Sequence, residues 1–142
     1  MVAEGSDGSK LDQVRFFKVQ VEPPIQDGPG VIGIDRFQAH VKMFYPNARW
    51  AGTCVCKPAS DHRACAATDY FDSPKNMEAM RNDAIRNAEF FHTKYVILYR
   101  TIYHAPHFQG SYYSGTYHAH VHVSVYGGVP DSACYGDRGV YE

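Results

Sequence analysis

The sequence predicts an α+β domain in which helices pack on one face of an antiparallel sheet. Three segments carry this prediction: an amphipathic helix over residues 74–91, a continuous apolar and aromatic run over 95–103, and a strictly alternating strand over 116–126. Apolar residues at helical spacing give a helix one apolar stripe, whereas alternation with a period of two gives a strand one apolar face. Packing helices on a sheet buries both in one core.

Composition is that of a single globular domain. The chain has 142 residues, of which 44% are hydrophobic and 14% aromatic, which is enough apolar surface for a core. Its 14 basic and 15 acidic residues give a formal net charge of -1, so no basic surface is available for nucleic acid. No stretch approaches the roughly 20 apolar residues that span a bilayer, and the N-terminus lacks the charged start and apolar run of a secretory signal. We therefore expect a monomer with neither a nucleic acid nor a membrane partner.

The N-terminal part differs in composition from the rest. Residues 1–34 are expected to form a leader and a Pro/Gly-rich arm, and residues 35–142 a single domain. The polar residues 1–12 favour disorder, whereas 14–21 alternates as a short strand or packed arm would. Segment 22–33 is dense in proline and glycine, which favours an irregular connection.

Two helices are predicted inside the domain. The first spans 35–45, since Asp35 is a capping residue type and Pro46 ends the pattern. The second spans 74–91, with Ser73 as its cap and a proline in its first turn. The apolar positions that give each helix a buried stripe are Phe37, Val41 and Phe44 in the first and Met77, Met80, Ala84, Ala88 and Phe91 in the second.

The remaining segments predict strands and one long loop. Segment 49–57 predicts a strand that leads into a loop, and 65–71 a buried strand rich in small and aromatic residues. The apolar run 95–103 predicts one buried strand, followed by a tyrosine-rich loop over 104–115. The alternating strand 116–126 completes the sheet.

Histidines are concentrated on that last strand. Because side chains alternate between the faces of a strand, His118, His120 and His122 share one face with Ser124, while the intervening valines share the other. Histidines two residues apart lie roughly 7 Å apart along the backbone. They can converge on one ion, or one can bind it while its neighbour faces a substrate. The alternative is an edge strand with solvated histidines.

Two further candidate ligands are His62, in the loop after segment 49–57, and Asp69, in the predicted strand 65–71. His62 and Asp69, taken alone, could be an ordinary hydrogen-bonded pair. Together with the histidine strand they supply two imidazoles and one carboxylate. That set suits zinc in a catalytic site, because three protein ligands leave a position for water.

These motifs resemble those of a known family. The segment HRACAATD that begins at His62 is similar to the pattern H-x-x-G-x-A-x-D, and HVHVS, which begins at His120, is similar to H-V-H-V-S. Both patterns are found in zinc peptidases that share the fold of D-Ala-D-Ala carboxypeptidases and the hedgehog signalling domain, in the branch that includes phage endolysin peptidase domains. The resemblance covers roughly residues 35–126, including the helix and strand between the two motifs.

The resemblance implies a fold, a cofactor and a substrate. Helices would cover one face of the sheet and a zinc cleft would lie on the other, with His62, Asp69 and His122 as the zinc ligands. His120 would face the substrate carbonyl. The substrate would be a peptide of bacterial peptidoglycan, so the protein would act at the bacterial cell wall. It would reach the wall as a phage lysin does or as part of a larger protein.

The sequence departs from the family pattern at two places. Cys65 stands where the branch has glycine. Tyr117, His118 and Ala119 stand where an acidic residue is expected before the H-V-H strand, so the family's general base has no counterpart there. The candidates for this catalytic role are Asp61, His118 and His120.

The cysteines allow competing interpretations. Cys54, Cys56 and Cys65, with His62 or Cys134, would make a closed structural zinc site, although a C-x-C spacing in an extended segment sends the two thiols to opposite faces. Disulfides that join Cys54 or Cys56 to Cys65 or Cys134 are a second option. The third is a nucleophilic enzyme that uses Cys65 with His62.

A non-catalytic function is the remaining alternative. The domain would then bear zinc without turnover, or bind glycans through aromatic side chains that stack on sugars. The aromatic residues considered for such stacking are Trp50, Tyr112, Tyr113 and Tyr117.

Overall fold

The structure is a computed structural model that describes residues 31–55 and 60–128. The predicted strand or arm over 14–21 and most of the N-terminal segment lie outside the described residues, as does the tail from residue 129. Within the described part, no helix has the length and apolar character needed to cross a membrane.

The described strands form one antiparallel sheet. Its six strands lie in the order β1-β2-β6-β3-β4-β5, and each neighbouring pair is antiparallel. The strands are β1 Arg49–Ala51, β2 Ala67–Phe71, β3 Thr93–Tyr99, β4 Thr101–His104, β5 Gly110–Tyr112 and β6 His118–Val125. The predicted α+β class with an antiparallel sheet is confirmed.

The first helix, α1, spans Ile32–Phe44 and begins before the predicted residue 35. Its first turn is part of the core, since Ile34 is fully buried. The helix is tied to the next helix by a buried carboxylate. Asp83 Oδ2 accepts a hydrogen bond from Tyr45 Oη at 2.7 Å and lies 2.8 Å from His40 Nε2. His40 is therefore a structural histidine.

The predicted helix over 74–91 is two helices, α2 Pro74–Arg86 and α3 Ala88–Phe91. Ser73 caps α2 as expected, its Oγ accepting a hydrogen bond from Asn76 N. The helix is interrupted at Asn87, whose φ of -112° and ψ of 37° are not helical. Its side-chain amide donates to Asp83 O, and such a bond competes with continuation of the helix.

The prediction of a single strand over 95–103 is wrong, because this segment forms two strands. β3 and β4 pair with each other, with Leu98 opposite Thr101, so Tyr99 and Arg100 form a two-residue turn. Tyr99 has a φ of 57°, a conformation that turns usually assign to glycine or asparagine. The ring of Tyr117 holds the turn, because Tyr99 stacks on it at 6.0 Å and the Arg100 guanidinium lies 5.6 Å from its centre. The loop predicted over 104–115 contains the short strand β5.

The core lies between the helices and one face of the sheet. α1 contacts β6, α2 contacts both β3 and β6, and α3 contacts β3. Val121, Val123 and Val125 of β6 are at most 1% exposed and belong to the core cluster. The alternating positions of β6 point to the opposite face, which is the separation that the sequence predicts.

Removing a core side chain tests this packing. Met80 on α2 is fully buried, whereas Met43 on α1 is 51% exposed. We expect Met80→Ala to lower the free energy of unfolding by about 2–5 kcal/mol, because it removes buried methylenes and leaves a cavity. Met43→Ala, the matched control, should change it by less than about 0.5 kcal/mol. Urea unfolding measures both, and equal effects would contradict the described core.

Candidate metal centre

A disulfide joins Cys54 to Cys65 and closes the chain around the loop that carries His62. It is one of the predicted pairings. A disulfide sulfur is not a thiolate, so Cys65 is not the nucleophile of a Cys/His enzyme, and neither Cys54 nor Cys65 is a zinc ligand. Both of those interpretations are therefore wrong for these two residues. Cys56 and Cys134 lie outside the described residues.

Cys65 has a left-handed backbone conformation. Its φ is 61°, in the left-handed region that glycine adopts without a steric penalty. Cys65, which stands where the pattern H-x-x-G-x-A-x-D has glycine, therefore has a backbone conformation that glycine adopts readily. The loop is also joined to the sheet, because Ala66 N donates to Asp61 O and Val125 N donates to Ala66 O, each at 2.8 Å.

Strand pairing brings the other two predicted ligands together. Asp69 on β2 lies directly opposite His122 on β6, so their side chains share the face that turns away from the helices. Asp69 Oδ1 lies 3.1 Å from His122 Nδ1 and 3.6 Å from His62 Nε2. One ligand atom from each of the three residues lies within 4.8 Å of the others. The three predicted residues thus form a group that could hold a metal ion.

A backbone carbonyl orients His62. Its Nδ1 lies 2.9 Å from Gly52 O, and a carbonyl oxygen accepts hydrogen bonds, so Nδ1 carries the proton and the Nε2 lone pair is turned towards Asp69. Gly52 has a φ of 97°, and a Cβ built there would come within 3.0 Å of the His62 ring. A glycine is required at this position, which sequence analysis did not identify.

His122 is oriented by a hydroxyl and an aromatic ring. Its Nε2 lies 2.8 Å from Ser124 Oγ, which leaves Nδ1 turned towards Asp69. Tyr95 of β3 stacks on the imidazole with a centroid distance of 5.4 Å and an interplanar angle of 13°. The register explains this contact, because Tyr95 lies opposite Ser124 and shares its face. The sequence around Tyr95 is a continuous apolar and aromatic run, which does not indicate that Tyr95 contacts His122.

Protonation in the site favours metal binding. Burial lowers the pKa of His122, although the hydrogen bond and charge of Asp69 act in the opposite direction. Burial alone would raise the pKa of Asp69, but its hydrogen bond to His122 and the nearby charges of His62, His122 and His120 outweigh burial, and the pKa is lowered. At neutral pH the site therefore holds a neutral His122 and an ionised Asp69. Those are the forms that bind a metal ion.

The two other histidines of β6 lie at different distances from this group. His120 Nε2 is 3.5 Å from Asp69 Oδ1, its side chain is 24% exposed, and burial lowers its pKa. His118 packs against His120 at 4.8 Å between ring centroids, and its Nδ1 lies 2.7 Å from Thr116 O. The structure places His120 beside the candidate metal ligands and His118 one step further along the strand.

Asp61 lies in a salt bridge. Lys94 Nζ lies 3.1 Å from its Oδ1 and 3.0 Å from its Oδ2. Burial alone would raise the pKa of Asp61, but hydrogen bonds from Lys94 and Ser124, with the charge of Lys94, outweigh it and the pKa is lowered. A general-base role for Asp61 stays a prediction, and its contacts connect it to the site through Ser124.

Comparison of the chain with protein-family models, curated proteins and solved structures returned no match. The family resemblance therefore depends on the two motifs and on the geometry around them.

The structure also bears on the glycan-binding alternative. Trp50 is 6% exposed and packs against Tyr70, so it does not offer a surface for a sugar, whereas Tyr112 and Tyr117 are 73% and 51% exposed.

Metal content tests the group directly. Elemental analysis of the purified protein should find one equivalent of a transition metal, and His122→Ala or Asp69→Asn should reduce it to background, because two remaining ligands hold such an ion poorly. His107→Ala removes an exposed histidine away from the group and should retain the metal. Equal metal content in His107→Ala and His122→Ala, with both proteins folded by circular dichroism, would contradict the assignment.

Proposed function

We propose that the protein is a zinc-dependent peptidase that hydrolyses a peptide bond in bacterial cell-wall peptidoglycan. One observation carries the proposal. Nε2 of His62 and Nδ1 of His122 both face Asp69, while the second nitrogen of each ring is engaged by Gly52 or Ser124. Hydrogen bonds on the outer nitrogen are characteristic of metal-binding histidines, because they fix the ring and its tautomer.

The donor set supports zinc as the metal. Imidazole nitrogen and carboxylate oxygen are common zinc ligands, and catalytic zinc sites use three protein ligands and keep one position open. Two histidines and one carboxylate also bind ferrous iron in some enzymes. The resemblance of both motifs to those of zinc peptidases favours zinc, and elemental analysis distinguishes the two metals.

The residues around the group fit hydrolysis. Zinc, when bound, supplies an acidified water and a Lewis acid for the scissile carbonyl. His120 is next to the ligands and partly exposed, and its lowered pKa keeps it neutral at pH 7. In that form it can accept a proton from the attacking water and later donate it to the departing amine.

The aromatic surface next to the site supports a polymeric substrate. Tyr113 packs against His118 with 5.2 Å between ring centroids, and His118 in turn packs against His120. The exposed ring of Tyr117 lies in the same loop. Tyrosine combines an apolar ring with a polar hydroxyl, which suits contact with peptide and sugar groups alike. The choice of peptidoglycan follows from the family resemblance.

The second candidate is a zinc-bearing module without peptidase activity. Asp61, the carboxylate nearest to His62 in sequence, is engaged by Lys94, and the metal-binding group found among the described residues contains no carboxylate besides Asp69. A peptidase of this family would then have to use a histidine as its general base. This observation is what favours the alternative.

Amine release from purified peptidoglycan distinguishes the two candidates. The wild-type protein should release new amino groups, and a chelator should abolish the release. His120→Ala should lower the rate by about 10²–10⁴-fold while retaining zinc, because positioned acid–base catalysis contributes a factor of that order.

His107→Ala is the control, and its rate should equal that of the wild type. Zinc content without any amine release in the wild type would contradict the peptidase and support the non-catalytic module. A full rate in His120→Ala would exclude His120 as the general base.

A further inference from the structure

The Cys54–Cys65 disulfide joins the two segments whose contact positions His62. Gly52, whose carbonyl oxygen lies 2.9 Å from His62 Nδ1, stands just before Cys54 in the chain, and His62 stands just before Cys65. The Cα atoms of the two cysteines are 4.1 Å apart. One covalent bond therefore connects the segment that provides the carbonyl to the segment that provides the imidazole.

Both cysteines have a backbone conformation that residues other than glycine rarely adopt. The angle φ is 64° at Cys54 and 61° at Cys65, in the left-handed region, where a Cβ atom is crowded by the backbone. Residues in such conformations persist only where the surrounding structure holds them. Without the S–S bond that restraint is lost at both positions, so the loop that carries His62 can adopt other conformations.

We infer that oxidation of Cys54 and Cys65 completes the candidate metal centre, so that the protein binds its metal tightly only after the disulfide has formed. In that step the two thiols transfer two electrons and two protons to an external disulfide, such as oxidised glutathione. The S–S bond of the protein forms, the external S–S bond breaks, and two external thiols leave. Both cysteines are positioning residues that act through His62. The inference rests on the zinc centre of the proposed function and adds the condition under which it assembles.

Burial of the pair determines the direction in which this control operates. Cys54 is 1% exposed and Cys65 is 0% exposed, so a reductant reaches the S–S bond only when the loop opens. Once formed, the disulfide is therefore protected, and His62 stays beside Asp69. A chain that has not been oxidised has two thiols at these positions and lacks the bond that holds the loop. The centre would thus assemble on transfer from a reducing to an oxidising environment.

Zinc affinity of the oxidised and the disulfide-free protein tests this control. Zn²⁺ binding, measured by competition with a chromophoric chelator, should be about 10–100-fold weaker in Cys54→Ser/Cys65→Ser, because losing an interaction that orients a ligand has an effect of that order. This variant has no thiol at either position that could bind zinc in place of His62. Reduction with a phosphine should weaken binding by the wild type and leave the variant unchanged, which excludes an effect on Cys56 or Cys134.

A double-mutant cycle separates positioning of His62 from general stabilisation. In a His62→Ala background the two serine replacements should cause no further loss of affinity, because the residue through which they act is absent. In a His107→Ala background, the control, they should cause the full loss. A loss of equal size in both backgrounds would overturn the inference, since the disulfide would then act on the fold as a whole.

Nuclear Overhauser contacts in the metal-free protein provide a readout independent of zinc. The ring protons of His62 and His122, whose centroids are 4.9 Å apart, should give a cross-peak in the oxidised wild type that is lost in the serine variant. The contact of Tyr95 with His122, at 5.4 Å within the sheet, should persist in both. A retained His62 cross-peak with unchanged zinc affinity would overturn the inference and leave the zinc centre intact. If the oxidised wild type bound no zinc, the proposed function would fail, and the cross-peak would still decide whether the disulfide positions His62.

Discussion

The pairing of β2 with β6 is the constraint on which the site depends. It places Asp69 opposite His122 on one face, and Tyr70 opposite Val121 on the other. A slip of one residue would turn His122 into the apolar core and expose a valine, so burial of the valines fixes the register. The geometry of the candidate metal centre is therefore a consequence of core packing, and the helices stabilise the site without contributing a ligand to it.

The third candidate ligand, His62, is positioned by local loop geometry. His62 reaches Asp69 because the Cys54–Cys65 disulfide closes the loop and Gly52 leaves room for the imidazole. Closing a loop of this size restricts the unfolded chain and stabilises the fold by roughly 3 kcal/mol. The same loop brings Asp61 to Ser124. Asp69 of β2 lies next to Nδ1 of His122, and Ser124, which the loop residue Asp61 contacts, lies next to its Nε2. His122 is therefore the centre of the polar network.

Much of the candidate site could be predicted from sequence because strand alternation assigns side chains to faces with few assumptions. That alternation places His120 and His122 on one face of β6, and the structure agrees, because both side chains lie within 3.5 Å of Asp69 Oδ1. The turn at Tyr99 was missed because it lacks the glycine or asparagine that usually marks a tight hairpin, and tertiary contacts to Tyr117 hold it instead. The contact of Lys94 with Asp61 was missed because it joins residues 33 positions apart, which no local pattern encodes.

Zinc K-edge X-ray absorption of the zinc-loaded protein tests the central claim most directly, because it reports the identity of the atoms bound to the metal. A centre made by His62, Asp69 and His122 predicts nitrogen and oxygen neighbours at about 2.0–2.1 Å, with the outer-shell scattering of two imidazoles and no sulfur. Sulfur at about 2.3 Å would show that cysteines hold the metal and would contradict the account.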